Sequence, residues 1–310
     1  MNLHLLRIFV SVVEAGSFSR AAETLGVSQP AVSKAVRELE SQLETTLLDR
    51  QGRSFKPSEP GHALYDYGRS IFALEREAEE TLTAFYGLER GRLTIGASST
   101  IATYWLPPLI AEFHSRYPNI EIHLISENTK QIVELLIDCR LDVALIEGRV
   151  TDSRIEARPW FREEMVIIAA DSPKHTSPNP VSLSSATVWV VREHGSGSRE
   201  ATEALLRDLG TPPPQIIEVG SNEAIVQTVS SGIGLGLVPH VCARDQLQLG
   251  KVKQVDIGKP PIQRQLYRVR LPHRTISQAG IAFEAMLSQW HTTYRDAYFK
   301  RETRTLGAAI

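Results

Sequence analysis

Residues 16–43 read GSFSRAAETLGVSQPAVSKAVRELESQL, and this stretch decides the fold of the N-terminal part of the chain. Ser17 can cap a helix whose end is marked by Gly26. Ser28 can cap a second helix, in which Pro30 falls in the first turn, where proline is tolerated. Two helices joined by a short glycine-containing turn form the helix-turn-helix arrangement, whose second helix enters the major groove of DNA. The stretch therefore predicts a DNA-binding module.

The flanking residues complete this module. Apolar residues between Leu5 and Val13 recur at helical spacing and predict an earlier helix, and Gly52 indicates the tip of a hairpin that would form a wing. We expect Gln29, Pro30 and Ser33 to approach base edges, and the basic residues of the second helix and wing to approach the groove and phosphates. The full set of predicted DNA-facing residues is Ser28, Gln29, Pro30, Ser33, Lys34, Arg37, Arg50 and Arg53.

The composition of the 310 residues is that of an ordinary globular protein, with 42% hydrophobic and 23% charged residues. The net charge of −2 does not by itself indicate a nucleic-acid or membrane partner, so the argument for DNA is local. Cys139 and Cys242 are distant in sequence and have no neighbouring set of ligands, so no disulfide framework, metal site or cofactor is predicted. Arg7 and Glu14 interrupt the first apolar stretch, and we expect a cytoplasmic protein without a signal peptide or membrane span.

A single long helix is predicted from Gly61 to about Phe85. Its apolar residues repeat at alternating spacings of three and four, as in the seam of a coiled coil, and are Leu64, Tyr67, Ile71, Leu74, Ala78, Leu82 and Phe85. Charged residues cover the remaining faces, so the stripe needs a partner helix. A second copy of the chain is the simplest partner, and the pattern predicts a homodimer.

Beyond residue 91 the pattern changes to alternating strands and helices. The predicted strands are β-branched runs at Leu93–Gly96, Ile120–Ile125, Val143–Ile146, Met165–Ala170 and Val188–Val191. Helical spacing occurs between them at Trp105–Tyr117, Thr129–Asp138, Arg199–Leu209 and Asn222–Ser231. This alternation predicts a largely parallel α/β architecture, in which ligands bind beyond the carboxyl ends of the strands.

A longer pattern of residue types then narrows the class. The N-terminal module carries Phe9-x-x-Val12-x-x-x-Gly16-Ser17-Phe18-Ser19-Arg20-Ala21-Ala22-x-x-Leu25-x-Val27-Ser28-Gln29-Pro30-Ala31-Val32-Ser33-x-x-Val36-x-x-Leu39-Glu40. The second half carries Ile101-Ala102-x-Tyr104-x-Leu106-Pro107, Asp142-Val143-Ala144-Leu145-Ile146-Glu147-Gly148 and Glu218-Val219-Gly220-Ser221-Asn222-Glu223-Ala224-Ile225. On these residues the chain resembles LysR-type transcriptional regulators along nearly its whole length, within the branch that contains the CbbR and CysL regulators.

The resemblance implies a domain layout. We expect an all-α winged helix-turn-helix over residues 1–60, a dimerisation helix over 61–86, a hinge over 87–91 and an effector-binding domain over 92–310. That domain would be a two-lobed α/β fold similar to periplasmic solute-binding proteins, with lobe I at about 92–162 and 268–300 and lobe II at about 163–267. The resemblance also implies a homodimer or dimer of dimers on promoter DNA and, as in an activator, a contact with RNA polymerase.

Small hydroxyl and glycine residues mark the predicted effector site, which would hold a small metabolite or inorganic anion. Hydroxyls and backbone N–H groups at helix starts can bind an anion without a fixed positive charge. The candidate residues are Ser98, Ser99, Thr100, Thr129, Ser196, Gly197 and Ser221. Two plainer interpretations stay open: the serines and threonines cap the following helices, and Gly195–Ser198 is an ordinary flexible turn.

Two other classes of protein could use the predicted two-lobed fold. A solute receptor would match the second half alone, but the N-terminal helical module argues against it. An enzyme would need a nucleophile, base or metal set, and neither GxxxxGK[ST], HExxH nor GxSxG occurs, so no catalytic residue is expected. The glycines of Gly232–Gly236 lack dinucleotide-binding spacing and predict a tight strand connection. The residues expected in the core are Trp105, Trp160, Trp189, Cys139 and Cys242.

Overall fold

The computed structural model describes residues 1–51, 54–84, 90–148, 150, 152–171, 188–210, 215–272, 274 and 276–290. The chain divides into two compact units, Met1–Leu82 and Thr83–Ile310. Several predicted features lie outside the described residues. They are those at Gly52, Arg53 and Phe85, most of the hinge, and the part of the predicted lobe I after residue 290. No helix of the described residues has the length and hydropathy needed to cross a membrane.

The first unit consists of three short helices, a hairpin and a long helix. These elements are α1 (Leu3–Ala15), α2 (Phe18–Leu25), α3 (Gln29–Gln42), β1 (Leu48–Gln51), β2 (Ser54–Pro57) and α4 (Glu59–Ala84). Gly16 and Gly26 end α1 and α2 in the left-handed conformation, and the Ser17 hydroxyl caps α2. Ser28 occupies the N-cap position of α3, but its side chain makes no capping hydrogen bond, so the capping role predicted for it is wrong.

The apolar faces of α1, α2 and α3 form the core of this unit. Its fully buried side chains include Leu6, Phe9, Val12, Val32, Val36 and Leu39. The start of α4 lies against the segment before β1, because a Cβ at Gly61 would stand 2.0 Å from the carbonyl oxygen of Leu47. Only glycine permits this close approach, which joins the long helix to the helix-turn-helix core.

The apolar stripe of α4 is divided between two environments. Leu64 and Ile71 pack against the core of their own unit, contrary to the expectation that the whole stripe faces a partner. Tyr67, Leu74 and Leu82 remain exposed, with relative accessibilities of 72%, 65% and 65%. Their spacing of seven and eight residues keeps these three side chains on one face of the helix. We call them the exposed stripe.

The second unit contains fifteen labelled elements. In chain order they are β3 (Gly91–Ser98), α5 (Pro107–Arg116), β4 (Ile120–Glu127), α6 (Thr129–Ile137), β5 (Val143–Glu147), β6 (Glu156–Ala170), β7 (Trp189–Arg192), α7 (Gly197–Leu209), β8 (Ile216–Val219), α8 (Asn222–Ser230), β9 (Leu235–Pro239), α9 (His240–Gln248), β10 (Val252–Gln254), β11 (Ile262–Arg270) and α10 (278–290). A π-helical turn, Ile101–Trp105, connects β3 to α5.

A single mixed sheet passes through this unit in the order β4-β3-β5-β11-β6-β9-β7-β8, with β10 beside β6. The strands β3, β4 and β5 are parallel, as are β7, β8 and β9. The expectation of a largely parallel sheet therefore holds only within each of these two groups of strands. We call the part of the domain built on the first group lobe I and the part built on the second lobe II. The strands β6 and β11 are antiparallel to each other and to their other neighbours, because one leads the chain from lobe I to lobe II and the other leads it back.

The predicted core residues are buried with one exception. Trp105, Trp160 and Trp189 expose 5%, 3% and 1% of their surfaces, which confirms their expected position. Cys242 is buried as well. Cys139 is only half-buried, contrary to expectation, because it lies in the turn after α6 with a φ of 53°.

Candidate functional site

The predicted DNA-facing residues lie largely on one exposed helix. Exposed positions at the start and along the outer side of α3 are Ser28, Gln29, Pro30, Lys34 and Arg37. Ser33 is half-buried, and its hydroxyl accepts a hydrogen bond of 2.8 Å from Nε2 of Gln29. Arg50 belongs to β1, whereas Arg53 lies outside the described residues. The face of α3 thus presents amide and basic groups to solvent.

Of the predicted effector residues of lobe I, Ser98, Thr100 and Thr129 are buried and Ser99 is half-buried. The Ser98 Oγ and Thr129 Oγ1 atoms lie 3.0 Å apart. The Thr129 hydroxyl donates to the backbone oxygen of Glu147 at 2.7 Å, and Ser98 Oγ accepts from the Glu147 backbone N–H at 3.2 Å. These hydroxyls hold the end of β5 in place.

The Glu147 carboxylate occupies one of the donor groups expected to hold an anion, the backbone N–H of Thr100. Its Oε1 accepts from the backbone N–H of Thr100 at 3.2 Å, at the start of the π-helical turn. Its Oε2 accepts from Nη1 of Arg264 at 2.6 Å. The residue is 2% exposed. An internal carboxylate therefore binds where the sequence predicted an external anion.

Arg264 connects this carboxylate to a second one. Its Nε donates to Oε1 of Glu163 at 2.7 Å, its Nη2 donates to the same oxygen, and its Nη1 also donates to Ser198 Oγ at 2.8 Å. The other oxygen of Glu163 accepts from Nε1 of Trp105 at 3.3 Å. Arg264 and Glu163 lie directly opposite each other on β11 and β6. We call Glu147, Glu163 and Arg264 the buried charge cluster.

The electrostatics of the cluster single out Glu163. Burial raises the pKa of Glu163 above its ordinary value, against the lowering effect of Arg264, and the Glu147 charge adds to the rise. Burial lowers the pKa of Arg264, but the two carboxylates raise it by more, so the guanidinium stays charged. The Glu163 carboxylate therefore binds a proton more readily than an ordinary glutamate does.

The lobe II candidates fulfil structural roles. The Ser196 and Ser221 hydroxyls accept from the backbone N–H groups of Ser198 and Ala224, at 3.2 Å and 3.0 Å, and cap α7 and α8. The capping interpretation is therefore correct for these two serines. Gly197 begins α7 beside Glu147, and a Cβ there would stand 2.6 Å from the Glu147 backbone oxygen. The two lobes are in direct contact at this point.

Two further polar pairs connect the lobes. Asn222 Nδ2 donates to Thr100 Oγ1 at 2.9 Å, while its buried Oδ1 has no hydrogen-bond partner among the described residues. Arg192 Nη2 donates to Ser99 Oγ at 3.3 Å, and its guanidinium pairs with Glu193. Burial raises the pKa of Glu193, but the hydrogen bonds and charge of Arg192, together with hydrogen bonds from the backbone and Asn128, lower it by more in sum, so the pKa lies below its ordinary value.

The residues that sequence reasoning missed are the charged ones. Roles were not assigned to Glu147, Glu163, Arg192, Asn222 or Arg264. A signal existed for Arg264, because the alternation along Ile262–Arg270 places it on the same face as Leu266, which is fully buried. A charged side chain on the buried face of a strand indicates an internal ion pair or a binding site. Within the described residues, no group of three or more His, Cys, Asp or Glu is placed to hold a metal ion.

A helix-turn-helix unit followed by a two-lobed α/β domain defines the class of DNA-binding regulators with a ligand-sensing domain. Residues 3–62 match the family described as bacterial regulatory helix-turn-helix protein, lysR family, and residues 87–291 match the LysR substrate binding domain. The chain belongs to the LysR family of transcriptional regulators and carries that family's effector-binding domain. The members of this family are regulators rather than enzymes.

Individual relatives agree with this assignment. The chain is 34% identical over 280 residues to the HTH-type transcriptional regulator YeiE of Escherichia coli strain K12, covering 90% of this chain and 94% of that protein. It is 31% identical to the HTH-type transcriptional regulator CysL of Bacillus subtilis strain 168, covering 88% and 92%, which agrees with the branch named from the sequence.

Solved structures show the same fold. CbnR, a LysR family regulator solved in complex with its target DNA, aligns with a TM-score of 0.64 at 20% identity over 93% of this chain and 99% of that chain. The regulatory domain of CcmR from Synechocystis PCC6803, solved in complex with 2-PG, aligns with a TM-score of 0.60 at 26% identity over 66% and 99%.

Proposed function

We propose that this LysR-type regulator controls transcription in response to a small anion bound between the two lobes of its second unit. The observation that carries this proposal is the environment of the Glu147 carboxylate. A backbone N–H at a helical turn and a buried guanidinium donate to it, and the hydroxyls of Ser98 and Thr129 bond to the backbone of the same residue. Groups that stabilise a buried carboxylate are also the groups that bind a carboxylate, sulfate or phosphate ligand.

The proposed effector site combines the predicted residues with the cluster. Ser98, Thr100 and Thr129 lie at the carboxyl-end edge of lobe I, and Gly197 approaches from lobe II. The other predicted contacts are Ser99, Ser196 and Ser221, with Arg264 added as the charged group that the sequence did not reveal. The complex of the CcmR regulatory domain with 2-PG supports a small-molecule effector at a domain of this kind.

The proposed DNA interface is the exposed side of α3 together with the hairpin. Gln29, Pro30 and Ser33 would approach base edges, and Lys34 and Arg37 would approach phosphates. Ser28, Arg50 and Arg53 complete the proposed set. Since DNA is the partner, we place the site of action in the cytoplasm, as a transcription activator that also contacts RNA polymerase.

The proposed oligomer forms through the exposed stripe of α4. Tyr67, Leu74 and Leu82 offer an apolar face on a helix of 26 residues, which is long enough for a two-helix interface. Two recognition helices would then meet half-sites about 10 base pairs apart or a multiple of that spacing. In a dimer of dimers, effector binding would change DNA binding if movement of the lobes changed the distance between the recognition helices.

Two measurements on the full chain test this function. The first is a mobility shift on the promoter fragment upstream of the regulator's own gene, where binding is expected. The second is thermal unfolding with sulfate, phosphate and 2-PG, where a bound anion raises the unfolding temperature with the logarithm of its concentration. If the protein binds the fragment but no anion changes either its stability or its DNA contacts, the anion part of the proposal is wrong. Turnover of a tested metabolite without DNA binding would favour an enzyme instead.

A further inference from the structure

The buried charge cluster leaves little room for an additional negative group. A guanidinium offers five N–H donors. The Nε group and Nη2 bind Glu163, and Nη1 binds both Glu147 and Ser198. Four of the five N–H groups are therefore engaged, and an anion that binds Arg264 through more than one N–H group must share or replace one of the two carboxylates.

The charge balance opposes an anion unless a proton accompanies it. When both carboxylates are ionised, Glu147, Glu163 and Arg264 together carry one net negative charge. A second negative charge in the same buried space is costly, because the low dielectric strengthens repulsion between like charges. Protonation of Glu163 makes the cluster neutral and weakens its hold on Nε and Nη2 of Arg264. Those two N–H groups can then bind an anion.

One buried polar atom beside the cluster lacks a hydrogen-bond partner within the described residues. Asn222 is 1% exposed, and its amide holds Thr100, whose backbone N–H binds Glu147. The Asn222 Oδ1 atom nevertheless has no hydrogen-bond partner within the described residues. A buried amide oxygen without a partner costs free energy, which only a group that brings a hydrogen-bond donor would recover, so this atom does not itself contact the anion.

Two titratable groups beside the cluster, Cys242 and Tyr104, do not take up the proton. Burial raises the pKa of the Cys242 thiol on α9 well above its ordinary value, and Glu223 and the cluster add to this. Burial also raises the pKa of Tyr104, whose hydroxyl contacts Glu223 of α8. Both groups are therefore already protonated at neutral pH. On α7, the Glu200 carboxylate lies beside Gly148 and is exposed to solvent.

We infer that an anion enters the interlobe site together with one proton from solvent, which Glu163 takes up on a carboxylate oxygen, so that Arg264 is shared between Glu147 and the anion. This inference rests on the proposed function, since it concerns the same site. Its consequence is that the regulator responds to anion concentration and to pH jointly. The affinity for the anion would rise as the pH falls.

Calorimetric titration of the full chain with sulfate tests the inference, because sulfate does not change its own protonation near neutral pH. Titrations in two buffers of different protonation enthalpy, between about pH 6 and about pH 8, give the number of protons taken up. We expect uptake in the wild type to rise toward one with increasing pH. The affinity should fall by up to about tenfold per pH unit, as one coupled proton requires.

Two variants separate the roles of adjacent glutamates on β6. Glu163→Gln places a neutral amide at the cluster and imitates the protonated acid. It should bind sulfate without proton uptake, at an affinity that does not change with pH and equals the low-pH affinity of the wild type. Glu164→Gln removes the same charge from an exposed position on the same strand and should behave like the wild type.

The outcomes distinguish the inference from the function on which it rests. Sulfate binding without proton uptake in the wild type, or with undiminished uptake in Glu163→Gln, overturns the inference and leaves the anion site in place. Absence of sulfate binding in all three proteins at about pH 6 overturns both the sulfate site and the proton coupling. If Glu163→Gln does not fold, as judged by circular dichroism, the proton count in the wild type and Glu164→Gln decides alone.

Discussion

The two units of this regulator handle their functional polar groups in opposite ways. On α3 the residues proposed to contact DNA are exposed apart from half-buried Ser33, and Lys34 and Arg37 carry their charges at the surface. In the second unit most of the proposed effector residues are buried, and Ser98, Thr100 and Thr129 all bond to Glu147. A DNA surface must be accessible before its partner arrives, whereas an interlobe site can be filled by the protein itself until a ligand competes for it.

Among variants that compare the exposed surface of the first unit with the buried site of the second, the largest effect is expected on the oligomeric state, at the exposed stripe of α4. Leu74→Glu combined with Leu82→Glu would place carboxylates in an apolar helix pair, and the dimer should be lost completely. Light scattering would report monomers, and the unfolding midpoint of the first unit should change little because both side chains are exposed in it. Exposed Glu79→Gln on the same helix is the control. A double variant that keeps the parental mass would refute the proposed interface.

Removal of the buried cation should have the next largest effect. Arg264→Met leaves Glu147 and Glu163 buried without their shared partner, and stability should fall by about 3–5 kcal/mol. Urea unfolding measures this loss. Arg162→Met is the matched control, because Arg162 is exposed on the neighbouring strand and bonds only Gln265 in the described contacts, at 3.2 Å; it should cost less than about 1 kcal/mol. Equal losses would mean that the cluster is not a distinct electrostatic unit.

A smaller loss is expected at the contact between Thr100 and Asn222. Thr100→Val keeps the shape of the side chain but removes the acceptor of the Asn222 amide, which would lower stability by about 1–3 kcal/mol. The same variant should weaken anion binding, while DNA binding without effector persists. Thr94→Val on β3, the strand that precedes Thr100, is the control, since the bonds of Thr94 to Asp142 are made by its backbone. Unchanged stability and unchanged affinity in Thr100→Val would place the effector elsewhere.

The pH dependence of stability should show the effect of burying Glu163. Its pKa in the folded chain lies above the ordinary glutamate value of 4.5, so the folded state binds a proton more tightly than the unfolded state. Stability is therefore greatest below that value and falls as the pH rises toward the folded pKa, by about 1.4 kcal/mol for each unit of difference. Thermal unfolding across this range should show the fall in the wild type and a smaller fall in Glu163→Gln. Parallel curves would contradict the assignment.

The smallest effect is expected on the DNA-binding face. Arg37→Ala should leave stability unchanged, weaken binding to all DNA sequences alike, and reduce the slope of log affinity against log salt by about one. Fluorescence anisotropy over a salt series measures this slope. Arg116→Ala, an exposed arginine of the second unit, should leave the slope unchanged. A specific loss for one operator sequence would instead indicate that Arg37 reads a base.

The helix-turn-helix was predictable because its signals are local. Capping residues, glycines in the left-handed conformation and apolar spacing act within a few residues of one another, and α1, α2 and α3 form near the positions that these signals indicate. The long helix was also predictable in its extent. The sequence did not show which side chains of its apolar stripe would remain exposed, because Leu64 and Ile71 are covered by residues far away in sequence.

The amino-acid sequence by itself determined the family, the two-part organisation, the exposed face of α3 and the hydroxyl residues that follow the strands of lobe I. Only the tertiary structure decided that β6 and β11 pair across both lobes and bring Glu163 opposite Arg264, with Glu147 joining them from β5. The physical reason is the range of the interactions. Helix caps and amphipathic faces depend on neighbouring residues, whereas the state of a buried charge depends on partners more than a hundred residues away along the chain.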